Sequence, residues 1–378
     1  MKEGYRLLGD FIQPVDERNR DLKVDYLLGV SISKQFIPSI ANIVGTDLSS
    51  YKIVHTGQFA YGPVTSRNGE KISIALLRDK DCIISSSYTV FEVVNKNALD
   101  PEYLMLWFSR PEFDRYARYM SHGSVREIFD WDELCKVELP VPSIDKQRSI
   151  VKAYQTITER IELKRRINDN LEQQARALYQ RMFIDNPVSG GYMGTLSDIA
   201  DITMGQSPNG SSYNEDGNGA VFFQGRAEFG FRFPSARLYT TEPKRMACAN
   251  DTLMSVRAPV GDLNVAYTDC CIGRGLAAIH SKSNQQSFVL YTMFSLHKQL
   301  DVFNGEGTVF GSINRTALTE LPIFIPSDRE IVKFEAIVAP IDAAIRNNYE
   351  EICRLEKIRD ALLPKLMSGE LDVSAVEL

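Results

Sequence analysis

Val137-Glu138-Leu139-Pro140-Val141-Pro142-Ser143 leads into a long stretch with helical character, and Leu321-Pro322-Ile323-Phe324-Ile325-Pro326-Ser327 leads into a second one. The two segments lie 184 residues apart. In that register residues 123–183 match residues 307–367 without a gap and share 11 identities. An internal repeat of this length indicates a structural unit that is encoded twice.

The segments before these stretches also correspond, more loosely. Leu8-Gly9-Asp10-Phe11-Ile12 resembles Leu196-Ser197-Asp198-Ile199-Ala200, at a shift of 188 residues. The chain therefore reads as variable domain, helix, variable domain, helix. Chance similarity between two amphipathic helices is the alternative, but the matching glycine, Pro-Ser pair and helix register together argue against it.

Both stretches carry apolar residues in alternating steps of four and three, the a/d pattern of a coiled coil. The first stripe is Ile150, Tyr154, Ile157, Ile161, Lys164, Asn168, Leu171, Ala175, Leu178 and Met182. The second is Phe334, Val338, Ile341, Ile345, Asn348, Ile352, Leu355, Arg359, Leu362 and Leu366. Two matched stripes predict that the helices pair with each other, antiparallel; the alternative is that each packs only onto its own domain.

Four polar residues interrupt the stripes, and such residues lower stability but can fix register. They are Lys164, Asn168, Asn348 and Arg359. Pro340 is expected to kink or restart the second helix because proline removes a helical hydrogen bond. Gly369 is expected to follow the end of that helix.

Before each long helix, short apolar runs alternate with turns, which is typical of strands in an α+β domain. Strands are predicted at residues 53–61, 72–77 and 82–94, with a helix over 101–119. In the second copy they are predicted at 220–224, 252–257 and 272–279, with a helix over 287–303. Leu104, Phe108, Phe113 and Tyr116 form the apolar face of the first of these two helices.

The predicted fold class is thus α+β, with two globular domains separated by two long antiparallel coiled-coil helices and related by a pseudo-two-fold. The predicted boundaries are 1–143 for the first domain, 144–186 for the first helix, 187–326 for the second domain, and 327–378 for the second helix and tail. Such an arrangement would hold two similar domains, inverted, at a fixed separation.

Composition narrows the functional classes. The net charge of −6 argues against a protein that depends on phosphate contacts alone. The six cysteines include no C-x-x-C pair and the four histidines match no ligand spacing, so we expect reduced thiols, no metal site and a cytoplasmic location. No apolar run is long enough for a membrane span.

Several glycine-rich loops carry arginine, asparagine, glutamine, serine or tyrosine, whose polar groups suit the edges of DNA bases. A single loop of this kind is more often a solvated turn, but these loops recur in both domains. The candidates in the first domain are Arg67, Asn68, Lys71, Ser87, Tyr88, His122, Ser124 and Arg126. Those in the second are Gln206, Asn209, Ser211, Tyr213, Arg226, Arg257, Arg274 and Thr308.

Taken in order along the whole chain, these features resemble the specificity subunits of type I restriction–modification enzymes. The similar motifs are Gln13-Pro14-Val15-Asp16-Glu17-Arg18-Asn19, Gly205-Gln206-Ser207-Pro208, residues 253–262 with residues 270–279, the segments Leu139-Pro140-Val141-Pro142 and Leu321-Pro322-Ile323-Phe324-Ile325-Pro326, and the ending at residues 362–371.

The resemblance implies a division of labour. Each domain would read one half of a split site on double-stranded DNA, and the helices would set the spacer. Two modification subunits, which carry S-adenosylmethionine, would dock on this chain, and restriction/translocase subunits would complete the enzyme. The chain itself would carry no cofactor and no catalytic residue, and its partners would supply much of the attraction for phosphate.

Two other functions are open at this point. One is a self-contained DNA methyltransferase or nuclease, but Asn186-Pro187-Val188 lacks the second proline and the aromatic residue of an adenine methyltransferase turn. Gly273-Arg274-Gly275-Leu276-Ala277-Ala278 fits G-x-G-x-x-A, which is weak on its own. The other is a coiled-coil scaffold that binds proteins without DNA specificity.

Overall fold

The computed structural model describes residues 4–39, 46–66, 68–123, 126–185, 190–305 and 311–370. The chain divides into two compact units, one of residues 1–163 and 352–378 and the other of residues 164–351. We call them unit 1 and unit 2. Each unit contains one globular part and a segment of each long helix.

The described residues of unit 1 include the strands β1 (Tyr5–Leu7), β2 (Ile12–Val15), β3 (Leu28–Val30), β4 (Phe36–Pro38), β5 (Lys52–Val54), β6 (Phe59–Tyr61), β7 (Ile74–Leu76), β8 (Cys82–Ile84), β9 (Thr89–Val93) and β10 (Glu138–Pro140). The helices that start in it are α1 (Pro101–Phe108), α2 (Pro111–Tyr119), α3 (Trp131–Cys135) and α4 (Ile144–Tyr179). A π-helical turn, Gln180–Asp185, continues α4.

Unit 2 contains β11 (Tyr192–Thr195), β12 (Ala200–Met204), β13 (Tyr213–Asn214), β14 (Ala220–Phe223), β15 (Leu238–Thr240), β16 (Met246–Ala247), β17 (Thr252–Ser255), β18 (Leu263–Val265), β19 (Cys270–Ile272), β20 (Leu276–Ser281) and β21 (Pro322–Ile325). Its helices are α5 (Leu196–Ile199), α6 (Gln286–Ser295), α7 (His297–Leu300), α8 (Arg315–Thr319) and the start of α9 (Asp328–Ser368).

The same antiparallel four-stranded sheet occurs in both units. Its order is β2-β9-β6-β7 in unit 1 and β12-β20-β17-β18 in unit 2. In each unit the first strand pairs with the strand that precedes the long helix, β1 with β10 and β11 with β21. The Leu8 amide donates to the Val137 carbonyl (2.8 Å), and the Leu196 amide donates to the Leu321 carbonyl (3.0 Å). The two copies therefore share a fold as well as a sequence pattern.

The short helices before the long ones repeat the same cap. The Asp130 carboxylate accepts from the Glu133 amide and starts α3, while the Asn314 side chain accepts from the Ala317 amide and starts α8. Such side chains satisfy amide groups that have no partner at a helix start. Asp130 and Asn314 lie 184 positions apart, as the sequence repeat requires.

The long helices pair antiparallel within each unit. In unit 1, Ile157 and Ile161 on α4 form a buried cluster with Ile352 on α9. In unit 2, Ala175 and Tyr179 on α4 share a core with Phe334 and Val338 on α9. Residue numbers rise along α4 as they fall along α9, so the predicted α+β class and antiparallel pairing are confirmed.

All ten residues proposed for this pairing are buried or half-buried. Ile150, Ile157, Ile161, Ile345 and Ile352 are at most 7% exposed. Leu171, Leu178, Ile341, Leu355 and Leu362 are of intermediate exposure.

Of the two outcomes expected at Pro340, a kink or a restart, the restart is wrong: α9 continues through Pro340 for 41 residues in all. Pro340 and Ala336 are exposed, so the carbonyl that loses its helical partner faces the solvent side. Val338 and Phe334, both fully buried, hold the helix on its other side.

Several predicted elements are divided in the structure. The run 53–61 is split by a turn with Gly57 at φ +91°, the run 82–94 by the turn at 85–88, and the run 272–279 by the turn at 273–275. The predicted helix 101–119 breaks before Pro111, because proline pushes Arg110 into an extended conformation (ψ 142°). The predicted helix 287–303 is divided at Leu296 and ends in a 3-10 turn, Asp301–Asn304.

Candidate nucleic-acid interface

In unit 1 the candidate loops leave the four-stranded sheet at one edge. Tyr61 at the end of β6 pairs with Thr89 at the start of β9. Because the strands are antiparallel, the loop after β6 (62–73) and the turn before β9 (85–88) lie at the same edge of the sheet. The segment 121–129 joins them, since the Thr65 amide donates to the Glu127 carbonyl at 3.0 Å.

These three loops enclose a cleft of about 350 Å³. Four of the candidate residues line it: Asn68, Ser87, Tyr88 and Arg126. Arg126 is exposed and has no ion-pair partner among the residues that the structure describes. With Ser73, which also lines it, the cleft combines an amide, three hydroxyl groups and one available cation.

The other candidates of unit 1 lie outside the cleft lining. Lys71 is exposed, and His122 is exposed on a short backbone pairing with Ile128. Arg67 and Ser124 lie outside the described residues.

A buried ion pair fixes the loop at the cleft. The Asp114 carboxylate accepts from Lys34 Nζ at 2.7 Å and from the Ile72 amide at 3.1 Å. Both side chains are about nine-tenths buried. Burial lowers the pKa of Lys34, which Asp114 opposes. This pair anchors the end of the loop to α2.

Gly123 allows residues 121–123 to lie close to residues 126–129. Its φ is +138°, and a Cβ atom there would lie 2.1 Å from the Arg126 carbonyl oxygen. Only glycine permits such a close approach without moving the backbone.

In unit 2 the equivalent loops meet at the equivalent edge. Ser255 at the end of β17 pairs with Leu276 at the start of β20. The loop after β17 carries Arg257, and the turn before β20 carries Arg274. Both arginines are exposed and have no ion-pair partner within the described part of the chain.

Three glycines bring neighbouring loops of unit 2 into backbone contact. A Cβ atom on Gly205 would lie 2.1 Å from the Gly273 carbonyl oxygen, and one on Gly275 would lie 2.8 Å from the Gln224 carbonyl oxygen. The Gln206 amide donates to the Ile272 carbonyl at 3.0 Å. Gln206, Arg226 and Arg274 are thereby placed on three adjoining loops.

The remaining candidates of unit 2 are partly engaged within the protein. Arg226 forms an ion pair with Asp262. The Asn209 side chain accepts from the Ser211 amide and caps a 3-10 turn, and the Tyr213 hydroxyl donates to the Pro208 carbonyl. Ser211 is exposed, and Thr308 lies outside the described residues.

Corresponding backbone hydrogen bonds organise this edge in both units. The Phe129 amide donates to the Pro63 carbonyl (2.8 Å), and the Ile313 amide donates to the Val256 carbonyl (3.1 Å). The bridge Val64–Ile128 corresponds to the bridge Arg257–Ser312. The backbone is thus conserved between the copies while the side chains differ, which suits two readers of different sequences.

One other group of polar side chains is of chemical interest. Among the described residues Cys248, Asp251 and His280 are the three whose ligand atoms lie close enough to hold a metal ion, within 4.8 Å of one another. The sequence had predicted no metal site. The ligand spacing along the sequence does not reveal this group, because His280 lies 29 positions after Asp251 and the turn that starts at Cys248 ends in an aspartate instead of a second cysteine.

Comparison with known proteins gives a consistent answer. The sequence model of one protein family, the type I restriction modification DNA specificity domain, matches residues 36–173 of this chain. The putative type I restriction enzyme MjaX specificity subunit of Methanocaldococcus jannaschii is 29% identical over 300 residues, which cover 74% of this chain and 70% of that protein. The chain is similar to these specificity subunits.

Other specificity subunits also match. The type I restriction enzyme MjaIX specificity subunit of the same organism is 25% identical, over 74% of this chain and 71% of that one. The crystal structure of the type I restriction–modification system S subunit from M. genitalium superposes with a TM-score of 0.60, at 15% identity, over 96% of this chain and 95% of that one. The likeness to that S subunit concerns the fold.

No helix in the described residues is both long enough and apolar enough to cross a lipid bilayer.

Proposed function

We propose that this chain is the DNA-sequence-reading subunit of a type I restriction–modification complex. The observation that carries the proposal is the edge of the four-stranded sheet at which the candidate loops meet. Corresponding backbone hydrogen bonds organise these loops in both units, while the polar side chains on the loops differ between the units. The similarity of this chain to specificity subunits supports the same function. A reader of this kind needs a constant backbone and variable contacts to base edges.

Each unit reads one half of a bipartite site. In unit 1 the reading residues are those of the cleft and its rim, including Asn68, Tyr88 and Arg126. In unit 2 they include Gln206, Arg257 and Arg274. The paired helices set the distance between the half-sites, and the four-part organisation with boundaries at 143, 186 and 326 follows from this division.

The chain binds without catalysing a reaction. Two modification subunits, which would hold S-adenosylmethionine, and restriction/translocase subunits assemble on it in the cytoplasm. Because its net charge is −6, those partners supply much of the attraction for the DNA phosphates. The chain's own contribution is selectivity between sequences.

Sequencing of methylated bases in a host with and without the gene for this chain tests the proposal. We expect a methylated bipartite motif that is present only with the chain, because the modification subunits need it to locate their target. An unchanged methylation pattern, in a host whose modification subunits are expressed, would overturn the proposal and favour a scaffold.

A further inference from the structure

A tight turn joins Cys248 and Asp251 between β16 and β17. The Asp251 amide donates to the Cys248 carbonyl at 3.1 Å, and the Cys248 amide donates back to Asp251 Oδ2 at 2.8 Å. Asn250 completes the turn at φ +73°. The spacing C-x-x-D places two ligating side chains on one turn, as C-x-x-C does in zinc sites.

The neighbouring strand brings a third ligating group to this turn. Thr252 pairs with Ile279, so Asp251 lies opposite His280 across the β17–β20 ladder. His280 Nδ1 lies 2.5 Å from Asp251 Oδ1. Asp251 is almost completely buried, whereas half of the His280 side chain is exposed and Cys248 is exposed. Solvent therefore has access to the two outer groups.

We propose that Cys248, Asp251 and His280 bind a divalent zinc ion. Thiolate, imidazole and carboxylate are the three ligand types of zinc sites in proteins, and the hard ions Mg²⁺ and Ca²⁺ disfavour sulfur. The ligand atoms lie within 4.8 Å of one another, and the short hydrogen bond between His280 and Asp251 would open to admit the ion between them. A water molecule completes the coordination.

Binding exchanges protons for the metal. The thiol proton of Cys248 is released to solvent, and the hydrogen bond from His280 Nδ1 to Asp251 breaks. The imidazole then carries its proton on Nε2, so that the Nδ1 lone pair binds the ion. The Asp251 carboxylate contacts both other residues of the group, so a cation bound there would lie beside a negative charge that is already in place.

The guanidinium group of Arg346, which contacts the same turn through Asn250, leaves the three proposed ligands free. Arg346 directs its guanidinium group to the Asn250 side chain (2.8 Å) and the Tyr267 carbonyl (2.6 Å), and its charge is balanced by Glu350 at 3.5 Å. None of these contacts uses the Cys248, Asp251 or His280 side chains.

Unit 1 provides an internal comparison. Its equivalent turn has the same two hydrogen bonds, from the Gln58 amide to the His55 carbonyl (3.0 Å) and from the His55 amide to Gln58 Oε1 (2.9 Å). Across the ladder Gln58 donates to Glu92, at the position of His280. The turn therefore forms without a thiol or an aspartate, so its geometry does not explain why unit 2 carries three zinc-ligating side chains.

The site lies at the opposite edge of the sheet from the DNA-reading loops. Asp251 and His280 flank the Thr252–Ile279 pair, whereas Arg257 and Arg274 flank the Ser255–Leu276 pair at the other end of the same strands. The ion would thus join the turn 248–251 to β20 and stabilise unit 2 without contacting DNA.

Zinc titration of the tag-free chain tests this proposal. We expect one zinc ion per chain by elemental analysis after dialysis, a melting temperature that rises with zinc, and a thiolate-to-metal absorption band when Co²⁺ is used instead. Cys248→Ser and His280→Gln should each weaken zinc binding about 100-fold or more. Both residues are outer members of the cluster, and circular dichroism checks that the variants fold.

Cys353→Ser and His297→Gln are the matched controls and should bind zinc as the unaltered chain does. Equal zinc binding by the Cys248 and His280 variants, or no binding by the unaltered chain, would overturn the site. The zinc titration contains no DNA, so a negative result would not contradict the proposed DNA-reading function. A chain that does not read DNA would likewise leave the proposed zinc site uncontradicted.

Discussion

Lys164 donates a hydrogen bond from Nζ to Oδ1 of Asn348, 3.0 Å away, and the two residues are 184 positions apart in sequence. This is the shift that superimposes the two copies of the repeat. Equivalent residues of two antiparallel copies can contact each other only at the middle of their pairing. An antiparallel pairing of two duplicated helices therefore requires a contact of this kind.

The same place in the helix pair holds a buried polar layer. Asn348 Nδ2 donates to Asn168 Oδ1 (2.9 Å), Asn168 Nδ2 donates to the Ile345 carbonyl (3.3 Å), and Lys164 forms an ion pair with Glu351 (2.6 Å). Asn168 is 3% exposed. We predict that Asn168→Ala lowers the free energy of unfolding by about 1–3 kcal/mol, because it leaves Asn348 without its acceptor.

The double variant Asn168→Leu/Asn348→Leu replaces both amide side chains of the polar layer by apolar ones. It should unfold at higher urea concentration than the single variant, since no buried polar group is left unpaired. If urea denaturation shows Asn168→Ala to be neutral, the polar layer does not contribute as described.

Gly205 is expected to tolerate no side chain. Gly205→Ala would place Cβ 2.1 Å from the Gly273 carbonyl oxygen and should cost about 1–3 kcal/mol of stability in unit 2. Gly210→Ala, five residues on, meets no atom within 4 Å and is the control. Thermal unfolding of both variants checks this; equal melting temperatures would contradict the close contact of the two loops.

Arg257 and Arg274 are predicted to discriminate bases at one half-site. Replacing either by alanine should relax specificity at that half by about 1–3 kcal/mol and leave the other half unchanged, if the guanidinium group binds guanine through two hydrogen bonds. Arg329→Ala, an exposed arginine in the first turn of α9, is the control. Binding of the assembled complex to a library of sites measures this, and a uniform loss across all sequences would reassign the arginines to phosphate contacts.

His55 makes the stability of unit 1 depend on pH. Hydrogen bonds to Asp81 (2.6 Å) and Glu17 (2.9 Å) raise the pKa of His55, and the bond from His55 lowers the pKa of Asp81. The stabilisation that comes from the raised pKa of His55 is fully present below the ordinary pKa of 6.5. It is lost as the pH rises through the raised pKa. The stabilisation that comes from the lowered pKa of Asp81 is present above the ordinary pKa of 3.8, and it is lost as the solution is acidified.

The stability difference between the unaltered chain and His55→Gln should therefore be greatest at about pH 5–6 and shrink toward about pH 8. His122→Gln is the control, because the His122 ring has no carboxylate partner in the described ranges. Urea unfolding at several pH values measures both, and a His55 difference that grows with pH would have the wrong sign. The effect is modest because about two-fifths of the His55 side chain is exposed.

The duplicated architecture could be predicted from the sequence because it rests on periodicity and repetition. The a/d stripes and the shift of 184 residues placed both long helices within a residue of their observed starts, Ile144 and Asp328. The short strands were harder to predict. Apolar character continues through the turns at Gly57 and at 273–275, and a turn inside an apolar run leaves the hydrophobic pattern nearly unchanged.

The candidate loops were found by composition, but their contacts were beyond sequence reasoning. Nothing in the residues around Arg126 indicates that they pair with residues 63–65, or that Arg226 is neutralised by Asp262, 36 positions away. The cluster of Cys248, Asp251 and His280 depends on strand register, which a search for ligand spacing along the chain does not contain.

The most direct test exchanges residues 1–143 for the corresponding domain of another specificity subunit and sequences the methylated bases in the host. If each unit reads its own half-site, one half of the methylated motif changes, while the other half and the spacer stay as they were. A motif that is unaltered, or altered in both halves, would contradict the account.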